Sequence, residues 1–177
     1  QGDAHDARES SGDGHRQGEA QSLTVLGHSL ADLAARDMRH GGRLAEAAAA
    51  YREAANIRHS LGDRNLENES VAGLARVVLA QGQPAEALTL VEKVLAHLAG
   101  EGDLYGSSEA FWVYLTCYQV LRACGDGRAG EVLATAQAAL IERAARIGDE
   151  EMRRSFLEEV PHHRAIMDEL AISPSCR

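Results

Sequence analysis

One segment of the chain returns at a spacing of 40 residues, and this repeat restricts the fold more than any other feature. Gly42-Arg43-Leu44-Ala45-Glu46-Ala47 comes back as Gly82-Gln83-Pro84-Ala85-Glu86-Ala87. Upstream, Ala35-Arg36 returns as Ala75-Arg76; downstream, Tyr51 and Ala54 answer to Val91 and Val94. A looser third copy follows 43 residues later at Gly125-Asp126-Gly127-Arg128-Ala129-Gly130. A period of ~20–50 residues marks a supersecondary unit that cannot bury its apolar face alone and stacks on its neighbours.

Each copy reads as two helices. Ala31, Ala34, Ala35 and Met38 recur in steps of three and four, the spacing of one helical stripe. Gly41-Gly42 breaks that helix, and Leu44, Ala47, Tyr51, Ala54 and Leu61 form the stripe of the next. In the second copy the stripes are Val71, Leu74, Ala75 and Val78, then Ala87, Val91, Val94 and Leu98. Pro84 opens its helix, where a missing N–H is tolerated. In the third they are Tyr114, Cys117, Tyr118 and Leu121, then Val132, Leu133, Ala136, Leu140 and Ala144.

Gly-Asp pairs at Gly12-Asp13, Gly62-Asp63, Gly102-Asp103, Gly125-Asp126 and Gly148-Asp149 read as stops. Glycine ends one helix in the left-handed conformation and aspartate caps the next. Ser11-Gly12-Asp13 resembles Leu61-Gly62-Asp63, so residues 1–18 are expected to be a truncated, poorly packed preceding helix pair. Three helix pairs then follow over 19–148, at about 19–62, 65–100 and 108–148. Arg153, Phe156, Leu157 and Val160 add a stripe before Pro161 starts a last helix, so 149–171 is expected to cap the stack and 172–177 to fray.

Composition narrows the function. Aromatic residues make up only 4%, and much of the apolar share is alanine, which favours close-packed helices. The formal charge of −9 argues against non-specific nucleic-acid binding, which needs a basic face. No apolar run approaches the ~20 residues of a membrane span, and Gln1-Gly2-Asp3 does not resemble a secretory start. The missing initiator Met leads to the expectation of an excised fragment. Cys117, Cys124 and Cys176 are odd in number and unpaired in spacing, so reduced thiols and a cytoplasmic location are expected.

No phosphate loop or nucleophile elbow occurs. His162-His163 is the sole adjacent histidine pair, and neighbours on a helix are expected to diverge. No enzyme activity, metal or cofactor is expected.

The spacing within each copy resembles the tetratricopeptide repeat. Its small and apolar core positions are met by Ala31, Ala34, Ala35, Met38, Ala47, Tyr51 and Ala54. The second copy offers Val71, Leu74, Ala75, Val78, Ala87, Val91 and Val94, and the third Tyr114, Cys117, Tyr118, Leu121, Gly130, Ala134 and Gln137. The period exceeds the family's usual ~34 residues. With Leu61-Gly62-Asp63-Arg64 between pairs, and the ending Arg153-Arg154-Ser155-Phe156-Leu157-Glu158-Glu159-Val160-Pro161, it is similar to repeat regions of bacterial multidomain signalling proteins. Those include maltose-activator-type transcription regulators, STAND ATPases and nucleotide cyclases. The resemblance implies an all-α, right-handed α-solenoid of antiparallel helix pairs with a C-terminal capping helix.

It also implies a partner surface on the first helices of the pairs. The corresponding residues are Ser29, Asp32, Arg36 and Arg39; Glu69, Ala72, Arg76 and Leu79; and Trp112, Leu115, Gln119 and Arg122. Arg36, Arg39, Arg76 and Arg122 would supply guanidinium forks for carboxylates, with Gln119 beside them, and Trp112 a large anchor. The other role open to an arginine such as Arg36 is a simple pair with Asp32 one turn away. The expected partner is a protein or peptide, including another domain of the same parent chain. The alternatives are a small-molecule or signal-peptide sensor and a homo-oligomerisation tail.

Overall fold

The computed structural model describes residues 3–36, 41–101 and 109–172, and the side chains of 12–36, 42–100 and 109–169. Among the described residues it contains eight helices and no strand. The chain divides into two compact units, residues 1–108 and 109–177.

The first unit holds α1 (Asp3–Arg36), α2 (Gly41–Ser60), α3 (Arg64–Ala80) and α4 (Pro84–Glu101). α1 packs on α2 and α3, α2 on α3, and α3 on α4. Repeat-equivalent positions meet the same fate: Ala47, Tyr51 and Ala54 of α2 and Ala87, Val91 and Val94 of α4 are all fully buried. The central helix α3 is buried without interruption from Asn68 to Ala75, because neighbours cover it on several sides. On α1 the buried face is lined by small residues, Ala20, Thr24, Gly27, Ala31 and Ala34. Ala35 is exposed although its equivalent Ala75 is buried, since the neighbours that enclose α3 have no counterpart on that side of α1. Met38 lies outside the described residues.

Three helix ends share one hydrogen-bond pattern. Gly62, Gly82 and Gly125 adopt φ of +73°, +78° and +69°. The residue after each glycine donates to a carbonyl five positions back (Asp63 to Arg58, Gln83 to Val78, Asp126 to Leu121), at 3.0, 3.1 and 2.9 Å. Each glycine donates three back, to His59, Leu79 and Arg122. These are Schellman ends, which satisfy carbonyls the helix leaves free. A Cβ at Gly82 would meet nothing within 4 Å, so only backbone strain opposes it. Gly82→Ala is therefore expected to lower stability by about 1–2 kcal/mol, read as a lower urea midpoint at constant slope. An unchanged midpoint would refute the account of this turn.

Other Gly-Asp pairs behave differently. α1 runs unbroken through Gly12-Asp13, which corrects the expectation of a stop there. A glycine permits a helix end without dictating one, and residues 3–18 form the front of α1, with every side chain from Gly12 to Glu19 exposed. Gly41 and Gly42 lie in the first turn of α2. Asp63 and Asp149 do cap their helices, accepting from Leu66 and Met152 amides at 3.4 and 2.8 Å. Gly102-Asp103 lies outside the described residues.

The second unit holds α5 (Ala110–Ala123), α6 (Ala129–Ala145), α7 (Glu150–Glu158) and α8 (Pro161–Ile172). α5 packs on α6 and α8, and α8 also touches α6 and α7. Phe111, Leu115, Tyr118, Leu133, Ala136, Leu140 and Ile166 form its core. Here the repeat register is corrected. Gly130 and Ala134 are exposed, and Leu133, Gln137 and Leu140 occupy the places of Ala87, Val91 and Val94. The offset is 46 residues, three more than in α5, because the turn after Gly125 is longer. Asp126 holds that turn by accepting from the Arg128 backbone N, Nε and Nη2 at 2.9, 3.0 and 2.6 Å, and Arg128 draws its carboxyl down to about 2.

Candidate functional site

The residues expected to meet a partner fall in both units. In the first, Arg36 is exposed at the end of α1, Arg76 is half-buried on α3, and Arg39 lies outside the described residues. Glu69 and Ala72, expected on the same surface, are buried. Asp32 is not committed to Arg36 in its own helix. It meets Arg76 Nη2 at 3.5 Å and so ties α1 to α3.

Behind that pair lies the centre of the first unit. The Tyr51 hydroxyl is 3.0 Å from His28 Nδ1, and the two rings meet edge to face at 5.5 Å. Arg76 also hydrogen-bonds Tyr51. A guanidinium can only donate, so the phenol oxygen accepts from Arg76, while the direction of its bond with His28 is set by the imidazole tautomer. Burial pushes the Tyr51 hydroxyl up to about 12, and burial, with Arg76 nearby, pushes His28 below its ordinary 6.5. Asp32, Arg76, Tyr51 and His28 thus form one polar chain from surface to core.

In the second unit Trp112 is half-buried on α5 and Gln119 is exposed. Arg122 is engaged: its Nη1 donates to the Tyr118 hydroxyl at 2.8 Å and to Glu169 Oε1 at 2.7 Å, while Tyr118 donates to Glu169 Oε2 at 2.8 Å. The guanidinium carbon lies 5.6 Å from the centre of the Tyr118 ring. Glu169, on α8, was invisible as a partner in the sequence because 47 residues separate it from Arg122.

A histidine cluster also escaped the sequence reading. His162 and His163 do not diverge; their rings lie 4.5 Å apart at the start of α8. His163 is buried, donates from Nδ1 to the Phe156 carbonyl at 2.7 Å, and packs edge-on against Phe111 at 4.9 Å. His162 Nε2 faces Glu109 Oε2 at 3.7 Å. Burial lowers both histidines and raises Glu109. Among the described residues, no group of three or more His, Cys, Asp or Glu is placed to hold a metal.

These shifts fix the sign of a pH effect. His28, His162 and His163 fold in the neutral form, whereas in the unfolded chain they take up protons near 6.5. The stability they contribute is present above that value and is lost as pH falls through the lowered folded values. Glu109 acts in the opposite direction, from its lower carboxylate range upward. The urea midpoint is expected to drop between about pH 7.5 and about pH 5.5. A midpoint that holds or rises on acidification would contradict these assignments.

Cys117 is buried on α5, and burial raises its thiol to about 12; Cys124 is half-buried, and Cys176 lies outside the described residues. No described helix is long and apolar enough to cross a membrane. No family model, curated protein or solved structure matches the chain.

Proposed function

We propose that the chain is a non-enzymatic scaffold that binds a protein or extended peptide. In this reading it is a right-handed tetratricopeptide-like solenoid capped by its last helices. It serves as the interaction or sensor module of a larger bacterial regulatory protein in the cytoplasm. The observation that carries the reading is the matched burial of Ala47, Tyr51 and Ala54 with Ala87, Val91 and Val94, joined to the shared glycine ends. Positions that repeat in sequence also repeat in packing, which is how a stacked array distributes its core. α1 and α3, the first helices of two successive pairs, touch each other and carry Asp32, Arg36 and Arg76 on outward positions.

The test is capture of a partner on the full chain, beside Arg36→Ala with Arg76→Ala, and separately Arg122→Ala. Capture by the parent chain and loss in the first variant supports the first-helix surface. Equal capture by all three chains refutes that surface and leaves these arginines as solvated or structural groups. Both variants are read together with a helicity measurement, because Arg76 also ties α1 to α3 through Asp32 and Arg122 ties α5 to α8 through Glu169.

A further inference from the structure

α1 carries two parallel stripes of opposite character. The stripe turned into the unit is made of alanine, threonine and glycine. The stripe beside it consists of Leu23, Leu26, Leu30 and Leu33, and Leu26 and Leu33 are each 48% exposed. Large apolar side chains spaced three, four and three apart are the pattern of a helix seam that packs against another helix. Here Leu23, Leu26 and Leu30 face Ala49 and Ala50 of α2 across an open cleft of about 430 Å³. Alanines on one wall and leucines on the other leave room for inserted side chains rather than filling it. The seam lies roughly 100° around α1 from Asp32 and Arg36, so it is a different surface from the arginine face.

Charge selects the occupant. The two charged groups in the lining, Glu46 and Glu53, are both carboxylates, both exposed, and one stands at each end of the alanines on α2. Neither has an ion-pair partner among the described residues; the nearby Arg52 is turned to Glu86 instead, at 3.6 Å. A second copy laid seam to seam would set these carboxylates against their own kind, which disfavours self-association. A helix with an apolar stripe flanked by lysine or arginine answers both features. From Leu23 to Leu33 the seam runs ~15 Å, the length of about three helical turns.

We propose that the α1–α2 cleft docks an amphipathic helix whose apolar stripe is flanked by basic residues. This inference rests on the scaffold reading and adds a second docking surface, with the chemistry of its partner, to it.

The test uses the full chain and two synthetic helical peptides of about 15 residues with the same leucine stripe, one flanked by lysine and the other by glutamate. Fluorescence anisotropy is expected to show saturable binding of the lysine peptide alone. Leu26→Asp should weaken it by at least about tenfold, and Glu46→Lys with Glu53→Lys should reverse the preference toward the glutamate peptide. These positions are exposed, so circular dichroism should show unchanged helicity. Absence of saturable binding, equal binding of both peptides, or binding insensitive to Leu26→Asp overturns the proposal. So does sedimentation as a dimer that Leu26→Asp dissolves, which would make the occupant a second copy. If the lysine peptide is lost in Arg36→Ala with Arg76→Ala but kept in Leu26→Asp, this cleft is refuted while the scaffold reading stands.

Discussion

Gly73→Ala is expected to destabilise the first unit by about 1–3 kcal/mol, against the usual direction for such a change in a helix. Replacing a helical glycine with alanine ordinarily gains about 0.5–1 kcal/mol, because the unfolded chain loses freedom. At Gly73 that gain is overwhelmed. The Tyr51 ring is fully buried and lies between two helices that approach it through glycine. A Cβ on Gly27 would come within 2.8 Å of the ring carbons, and one on Gly73 would come closer still. The ring cannot retreat from one glycine without meeting the other, and its hydroxyl is held by His28 and Arg76. Gly18→Ala serves as the internal contrast: a Cβ there meets nothing within 4 Å, so the ordinary gain should appear. Urea midpoints should therefore move in opposite directions for the two variants. Adding Tyr51→Leu to Gly73→Ala should return part of the lost stability by removing the ring that clashes. Equal shifts for Gly73→Ala and Gly18→Ala would show that the ring is not clamped.

The second large effect concerns the last helix. Ile166 of α8 is fully buried with Phe111, Leu115 and Leu140, so Ile166→Ala is expected to cost about 2–5 kcal/mol. The same turn of α8 is fixed by polar means, because Gln137 Nε2 donates to the Ile166 carbonyl at 2.9 Å in a buried site. Gln137→Ala is expected to cost about 1–3 kcal/mol by removing this additional bond to a helical carbonyl and leaving a void beside α8. Amide exchange should accelerate first in α8 for both variants. If exchange across α8 stays at the parent rate, the helix is not anchored by this pair of contacts.

Gln137 also shows where sequence reasoning reached its limit. The 40-residue repeat made α2 to α4 and the second half of α1 legible, since alanine, valine and glycine at fixed spacing carry both the stripe and the stop. The apolar run of α6 was legible as a stripe too. Its register within the repeat was not, because three extra residues around Asp126–Arg128 move every later position by most of a turn. A glutamine at a core place then looks like a misfit, although its amide anchors α8.

The surface residues were legible in kind but not in their attachments. Arg76, Arg122 and Trp112 were named through the family resemblance, whereas the Asp32–Arg76 and Arg122–Glu169 pairs join residues far apart in the chain. The histidines show the same limit. His28 and His163 are ordinary helical positions until Tyr51 and Phe156 are brought beside them by packing. Gly12-Asp13 failed as a stop for a different reason: the dipeptide has the same chemistry as Gly62-Asp63, but no left-handed glycine forms there. The leucine seam of α1 was masked by the alanine stripe next to it, which has the same period and the smaller side chains that close packing on α2 and α3 requires.

Amide hydrogen exchange on the full chain, alone and with the protein it captures, tests the scaffold reading most directly. The account predicts slowed exchange in α1 and α3, around Ser29–Arg36 and Ala72–Leu79, with little change in α4. Slowing confined to α4 or α6, or no slowing in any helix of the bound chain, would contradict it.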